Sequence, residues 1–338
     1  MPPRNSQRGS RGSGGSSAVR AQPRNRRIVA VQMAFEDLPN LETIREHLMR
    51  VVLAALRERP FLIVLPAWTG LLPLHLFSGR WSLKDLETVI RRYGLALEEL
   101  WIAWARELAR QTGTYLVPGS VLIPSSHDRG LLHVSTLIAP DGRVMGRVTQ
   151  THVTGREAAW GLTAGVDLPV WNVDGVRVGI LLGSDAWFPE AGRIMALQGA
   201  ALLAAPTAVP APYSPWHHLG GIWQQVQANQ LFAVEAGMCR VAGDIPLEGR
   251  TSIMGPLEIT PRGTGYFRQV KNSREAEMLA ADLEFPRLSG VRREYPLADH
   301  YNFDLYRRAF PHLYLHYLGE RGIPIHIGVD DEDDTLFG

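Results

Sequence analysis

A chain of 338 residues, 45% hydrophobic and 20% charged with a formal net charge of +1, has apolar content for a large core and the charge balance of a folded protein. That composition excludes disordered, collagen-like and coiled-coil classes, and the near-zero charge gives no global attraction to nucleic acid. A lone cysteine, Cys239, rules out an internal disulfide or a cysteine metal cluster, and the Ser, Gly and Arg of the first 27 residues contain no secretory apolar segment, so a cytoplasmic protein is expected.

Residues 1–25 are basic and of low complexity, with no acidic residue before Glu36, and are expected to form a disordered tail. The β-branched run 27–33 predicts a buried strand, and apolar spacing over 40–57 predicts a helix. A second strand over 61–65 ends at Pro66. Residues 83–111 predict a long helical stretch, one helix or two broken near Gly94, with Trp101 and Trp104 packing on a neighbouring layer. Strands follow at 114–117, 133–138 and 144–149, the last two joined by a turn at Pro140-Asp141-Gly142.

Further along, 176–182 predicts a buried strand and 189–198 a helix with Pro189 in its first turn. Strands at 201–205 and 238–242 flank a predicted helix over 219–236. The uncharged run 194–216 is long enough to raise a membrane span, but prolines at 206, 210, 212 and 215 make it a helix end, a strand and a loop; no membrane contact is expected. An acidic run, Asp330-Asp331-Glu332-Asp333-Asp334, precedes the C-terminus. Strands alternating with helices, plus a hairpin pair, predict an α/β layered sandwich with mixed sheets.

Several segments together resemble the nitrilase, or carbon-nitrogen hydrolase, superfamily. They are the opening strand Ile28 to Met33, the strand Leu62-Ile63-Val64-Leu65-Pro66, and above all Val178-Gly179-Ile180-Leu181-Leu182-Gly183-Ser184-Asp185-Ala186-Trp187-Phe188-Pro189-Glu190. Ala233 to Cys239, Ala280 to Leu283, Arg292 and Tyr295-Pro296 extend the match. The resemblance implies a four-layer αββα sandwich, usually paired into a dimer through its helices. It divides the chain into the tail 1–25, a nitrilase-like domain 26–308 and a C-terminal arm and acidic tail 309–338.

The family's chemistry, as the resemblance implies it, uses a glutamate base, a lysine and a cysteine nucleophile around one carbonyl or nitrile carbon. Carried over position by position, the glutamate falls on Ala67, the lysine on Gln150 and the cysteine on Gly183. A second register puts Arg147 at the lysine position. Lysine occurs only as Lys84 and Lys271, neither near a motif, and Cys239 is expected to be a buried structural residue. Ser184, one residue past the nucleophile turn, is expected to point elsewhere, and Asp185 to anchor that turn through backbone hydrogen bonds. Glu157 resembles a second glutamate that many members keep, here expected to pair with Arg156 or Arg147.

The leading reading is a pseudoenzyme with a binding, scaffolding or regulatory role. The alternative is an active hydrolase of a nitrile or amide with a site rebuilt from Glu157, Arg147, His152, Ser184, Asp185 and Trp187. Trp68, Trp160 and Trp187 are expected to fill the vacated space. No cofactor is expected, and no metal: adjacent His217 and His218 lack a carboxylate at ligand spacing, and His312 and His316 sit in an apolar segment expected to act as a packing arm. A homodimer or higher homo-oligomer is expected from apolar helix faces over 189–198 and 219–236, with pairing to an active relative as a further role.

Overall fold

The computed structural model describes residues 25–126, 130–214 and 220–320. In chain order its main elements are β1 (Arg26–Phe35), α1 (Leu41–Ala55), β2 (Leu62–Val64), α2 (Leu74–Ser78), α3 (Leu86–Thr112), β3 (Tyr115–Val117), β4 (Ser120–Pro124), β5 (Leu131–Ile138) and β6 (Val144–Thr149). Then come α4 (Gly155–Ala158), β7 (Val170–Val173), β8 (Val176–Ile180), α5 (Pro189–Leu197), β9 (Leu202–Thr207), α6 (Ile222–Asn229) and β10 (Phe232–Ala242). Short strands β11 (Ile245–Leu247), β12 (Ser252–Met254) and β13 (Tyr266–Gln269) lead to β14 (Glu277–Leu283), α7 (Phe285–Glu294) and α8 (Phe303–Glu320).

Period-two side-chain alternation builds the layers. On β1, Ile28 and Ala30 face one apolar cluster while Val29, Val31, Met33 and Phe35 face another. On β9, Leu202 and Ala204 share the first of these with β1, whereas Leu203 and Ala205 pack under helices on the far side. Two sheets therefore stack face to face across one shared core, and each is covered outside by helices: α1 and α3 on one, α5 and α6 on the other. This is the expected αββα sandwich with mixed sheets. The halves meet where β1 and β10 run parallel, Met33 opposite Met238 and Phe35 opposite Arg240.

Local sequence explains the helices. Asn40 caps α1, its Oδ1 accepting from the Thr43 amide at 2.8 Å, and Ile44, Leu48, Val52 and Ala55 form one buried stripe. α3 is continuous through Gly94, against the reading that allowed a break there. A helix interior normally disfavours glycine, but a Cβ at Gly94 would sit 3.0 Å from the Leu122 carbonyl oxygen and 3.0 Å from Pro124 Cδ. The missing side chain lets β4 lie against α3. Trp101 is buried and donates its indole N–H to the Pro118 carbonyl at 3.1 Å, and Trp104 packs against the same core, as expected.

The predicted helix over 219–236 is corrected. α6 ends at Asn229, Gln230 turns the chain at φ 47°, and Phe232 to Ala236 belong to β10 between β9 and β12. Phe232, Ala233 and Val234 are apolar on successive positions because both faces of a central strand are buried, a pattern that periodicity alone does not separate from a buried helix. Half of the apolar surface invoked for self-association is thus interior. β4, β7 and β11 to β13 are not apparent from the sequence reading. The described part of the run 194–216, up to residue 214, resolves into the end of α5, strand β9 and a loop, and no helix among the described residues is long and apolar enough to cross a membrane.

The chain forms two compact units that divide between Val291 and Arg292. The second contains the end of α7 and all of α8, an exposed helix whose rings Tyr306, Phe310 and Tyr314 stack one turn apart. The basic and acidic tails lie outside the described residues.

Close packing at Gly94 is testable. Gly94→Leu raises helix propensity but drives a side chain into the β4 backbone, so its net effect is destabilising by about 1–3 kcal/mol, the usual range for overpacking. The urea unfolding midpoint is expected to fall accordingly.

Candidate functional site

Three chain reversals converge at one end of the sandwich: the segment after β2, the passage from β6 to α4, and the turn from β8 to α5. After β2, Ala67 is fully buried and Trp68 adopts a left-handed conformation, φ 66°. Such a backbone is rare for a bulky residue and is held by its surroundings. Here the Trp68 amide donates to Ser120 Oγ at 2.8 Å, and Gly119 provides the room, since any Cβ there would collide with the Pro66 carbonyl.

Ser120 begins a buried polar chain. Its Oγ lies 2.6 Å from His133 Nε2, and His133 Nδ1 lies 2.6 Å from Gln150 Oε1. Gln150 Nε2 is 2.8 Å from the His152 carbonyl and 3.0 Å from Glu157 Oε1. Those two acceptors assign Nε2 as the donor end, so Oε1 must accept, Nδ1 of His133 carries the proton, and the Ser120 hydroxyl donates to Nε2. Burial holds His133 below the usual histidine range, which keeps the ring neutral in this arrangement.

Glu157 is the third position of α4 and forms a capping box with Thr154. Its Oε2 accepts from the Thr154 amide at 2.8 Å, from Thr154 Oγ1 at 2.8 Å and from Ser184 Oγ at 2.8 Å. The expected pairing with Arg147 or Arg156 is therefore corrected. Arg147 Nη1 bonds Glu98 on α3 at 2.7 Å, away from the site, which also removes the register that placed it there. Neutral donors meet the Glu157 charge instead.

Between β8 and α5, residues Gly183–Trp187 form a single 3₁₀ turn. Gly183 has φ 56°, and a Cβ built on it would run into Gln150 Oε1 and lie 3.3 Å from His133 Cε1. Glycine is favoured twice, by a positive φ and by the glutamine in its present position. Ser184 does not point elsewhere as expected. The 3₁₀ turn rotates it toward α4, where it reaches Glu157 and faces a cavity.

Asp185 is wholly buried and binds the neighbouring loop more than its own turn. It accepts from the Thr151 amide at 3.0 Å, Thr151 Oγ1 at 2.8 Å, the His152 amide at 2.8 Å and His152 Nδ1 at 3.0 Å. The His152 ring also stacks on Phe188, with centroids 4.4 Å apart. His152 and Asp185 thus tie the β6–α4 loop to the turn before α5.

These elements enclose a cavity of about 480 Å³. Trp68, Trp160, Trp187 and Phe188 supply aromatic walls; His133, Glu157, Gly183 and Ser184 also line it, with Arg156 exposed beside Glu157. Ala67 and Gln150 are fully buried and do not line it. The expectation that the tryptophans fill this space is corrected: Trp68 and Trp160 brace each other edge to face at 6.0 Å, and Gln150 occupies the space beside Gly183. Sequence reasoning missed His133 and Ser120. Their signal was polarity inside strands otherwise apolar enough to be buried.

Cys239 is buried on β10 and burial pushes its thiol up to about 11, as befits a structural cysteine. His217 and His218 lie outside the described residues. His312 and His316 are exposed on α8, and no group of three metal-capable side chains occurs among the described residues.

Residues 27–283 match the carbon-nitrogen hydrolase family model. A nitrilase from Pyrococcus abyssi is 25% identical over 166 residues, covering 49% of this chain and 59% of the relative. A citrullinase from Francisella tularensis is 35% identical over 102 residues, covering 29% and 36%, and an omega-amidase from Danio rerio is 26% identical over 59% and 72%. The chain thus spans little more than half the length of the nitrilase and about a third of the citrullinase. Among solved structures, a carbon-nitrogen hydrolase from Helicobacter pylori superposes with TM-score 0.67 at 21% identity, covering 84% of this chain and 97% of the other. Nit3 from Saccharomyces cerevisiae gives TM-score 0.65 at 17% identity over 82% and 96%; both show the shared fold.

Asp185→Ala leaves the Thr151 and His152 amide hydrogens without their acceptor, and is expected to cost about 2 kcal/mol or more in urea unfolding, the penalty for buried unsatisfied groups. His133 adds a pH dependence. Its folded pKa is lowered, so below about 6.5 the unfolded chain takes up a proton that the native ring resists, and stability falls as pH drops from 6.5 toward 5. His47, half-buried and also lowered by burial, contributes in the same direction. His133→Gln should flatten part of that slope in denaturation measured across this range.

Proposed function

The chain belongs to the carbon-nitrogen hydrolase family, and from that premise we propose that it is a non-catalytic member that keeps the family's cavity as a binding site. The observation that carries this reading is Gly183, which offers no nucleophilic side chain and has Gln150 Oε1 where a Cβ would stand. By the resemblance this is the cysteine's position. At the lysine's position Gln150 is neutral, and both of its amide hydrogens are committed, to the His152 carbonyl and to Glu157. At the glutamate's position Ala67 has no proton to exchange.

Losing an essential nucleophile from a cooperative set lowers kcat by on the order of 10⁶, roughly 8 kcal/mol of barrier. Cys239 does not replace it, being buried on β10 with its thiol shifted toward the protonated form. A binding role also accounts for what is kept: aromatic walls, a carboxylate and a cavity of small-molecule size. Self-association belongs to the same proposal. It rests on α5, where Ile194 and Leu197 are 44% and 53% exposed.

Purified protein is expected to hydrolyse no member of a panel of nitriles, primary amides and N-carbamoyl compounds above a buffer blank. The triple variant Ala67→Glu, Gln150→Lys, Gly183→Cys removes the glutamine that blocks the turn and is expected to gain measurable amide hydrolysis. Wild-type turnover that survives purification and disappears in Ser184→Ala or Glu157→Gln would overturn the proposal in favour of a rebuilt catalytic site.

A further inference from the structure

The polar contacts at the cavity suit one charge type, a conclusion that rests on reading the cavity as a binding site rather than a hydrolytic one. Among the described residues that line it, apart from His133, only Glu157 and Arg156 carry an ionisable charge. Glu157 receives four hydrogen bonds within 3.0 Å: from the Thr154 amide, Thr154 Oγ1, Ser184 Oγ and Gln150 Nε2. Every one of these donors is neutral. Three of them fall on Oε2 and one on Oε1, so Oε1 keeps acceptor capacity. Among the described residues no arginine, lysine or histidine forms an ion pair with this carboxylate. Arg147 is engaged by Glu98, and His152 by Asp185.

Trp68, Trp160, Trp187 and Phe188 line the same cavity as that carboxylate. Indole faces attract cations through the ring quadrupole, and they do so more strongly where water is excluded. A neutral ligand of equal size would gain the apolar contact but leave the carboxylate without a counter-charge. An anion would meet like charge. We infer that the cavity binds a small organic monocation, an alkyl or methylated ammonium, with its charged head between the aromatic walls and Glu157. Arg156, exposed and beside Glu157, disfavours a second positive charge at the ligand's other end.

The comparison that decides is between choline and its neutral isostere 3,3-dimethyl-1-butanol, measured by titration calorimetry on the wild-type chain at low ionic strength. Choline is expected to bind saturably and at least tenfold more tightly than the isostere. Glu157→Gln, which retains an acceptor oxygen and remains a good third residue for the capping box, should reduce choline affinity at least tenfold and leave the isostere unchanged. Arg156→Ala should tighten choline. Equal affinities for the two probes, or no saturable choline binding, would overturn the inference whether or not the Glu157 variant folds. Those outcomes leave the non-catalytic proposal standing, because only turnover of the amide and nitrile panel bears on that.

Discussion

A buried primary amide has two hydrogens to place and an oxygen to satisfy, and the site is arranged around that requirement at Gln150. With no solvent exposure, each unmet group would carry a desolvation penalty of about 1–3 kcal/mol. His133 supplies the donor for Oε1, and its opposite nitrogen is met in turn by Ser120, which also receives the Trp68 amide. The same amide's hydrogens hold the His152 carbonyl and Glu157. One side chain thereby couples β4, β5, the β6–α4 loop and α4. Its oxygen also lies where a Cβ on Gly183 would stand, so this arrangement goes with a glycine there.

That chain of hydrogen bonds can exist only because the sandwich brings four separate stretches of sequence to one end. β5 and β6 belong to the first sheet, and β8 with its turn belongs to the second. The shared core of Ile28, Leu62, Val148, Val178, Leu202 and Phe232 sets the distance between them. Asp185 then closes the span, since a residue that follows β8 accepts four bonds from Thr151 and His152, which follow β6. A carboxylate facing four donors is well stabilised without a cation, and Glu157 repeats the arrangement nearby. The two carboxylates differ in access. Asp185 is wholly enclosed and acts on the fold, whereas Glu157 faces the cavity.

The layers were legible from alternation and from helical stripes such as Ile44, Leu48, Val52 and Ala55, because burial on one face leaves a periodic trace. Where both faces are buried the trace vanishes, which is why 232–236 reads as a continuation of α6. Short edge elements such as β7 and β11 to β13 contain too few residues for any period to emerge. At the site, Glu157, Ser184 and Asp185 stand out by motif, but their partners do not. Whether Ser184 faces Glu157 or the interior depends on the rotation of one 3₁₀ turn, and whether Glu157 meets an arginine depends on Arg147 finding Glu98 across from α3. Such choices are settled by three-dimensional competition between partners rather than by spacing along the chain. His133 was hidden for the same reason, since a histidine in a strand acquires meaning only from what it faces.

The Ser184–Glu157 contact is the one feature of the cavity that resembles an activated nucleophile, and its chemistry argues the other way. Glu157 already accepts four hydrogen bonds from neutral donors, which fix the carboxylate in place. Catalytic hydroxyl groups generally depend on a histidine or amine base, yet His133, the one histidine among the described residues that lines the cavity, is occupied at both nitrogens by Ser120 and Gln150. An oxyanion would also need a free donor, and the Gln150 amide hydrogens are both committed. What remains is a hydroxyl that helps to hold a carboxylate in place at the edge of an aromatic cavity, the arrangement that the proposed binding role calls for.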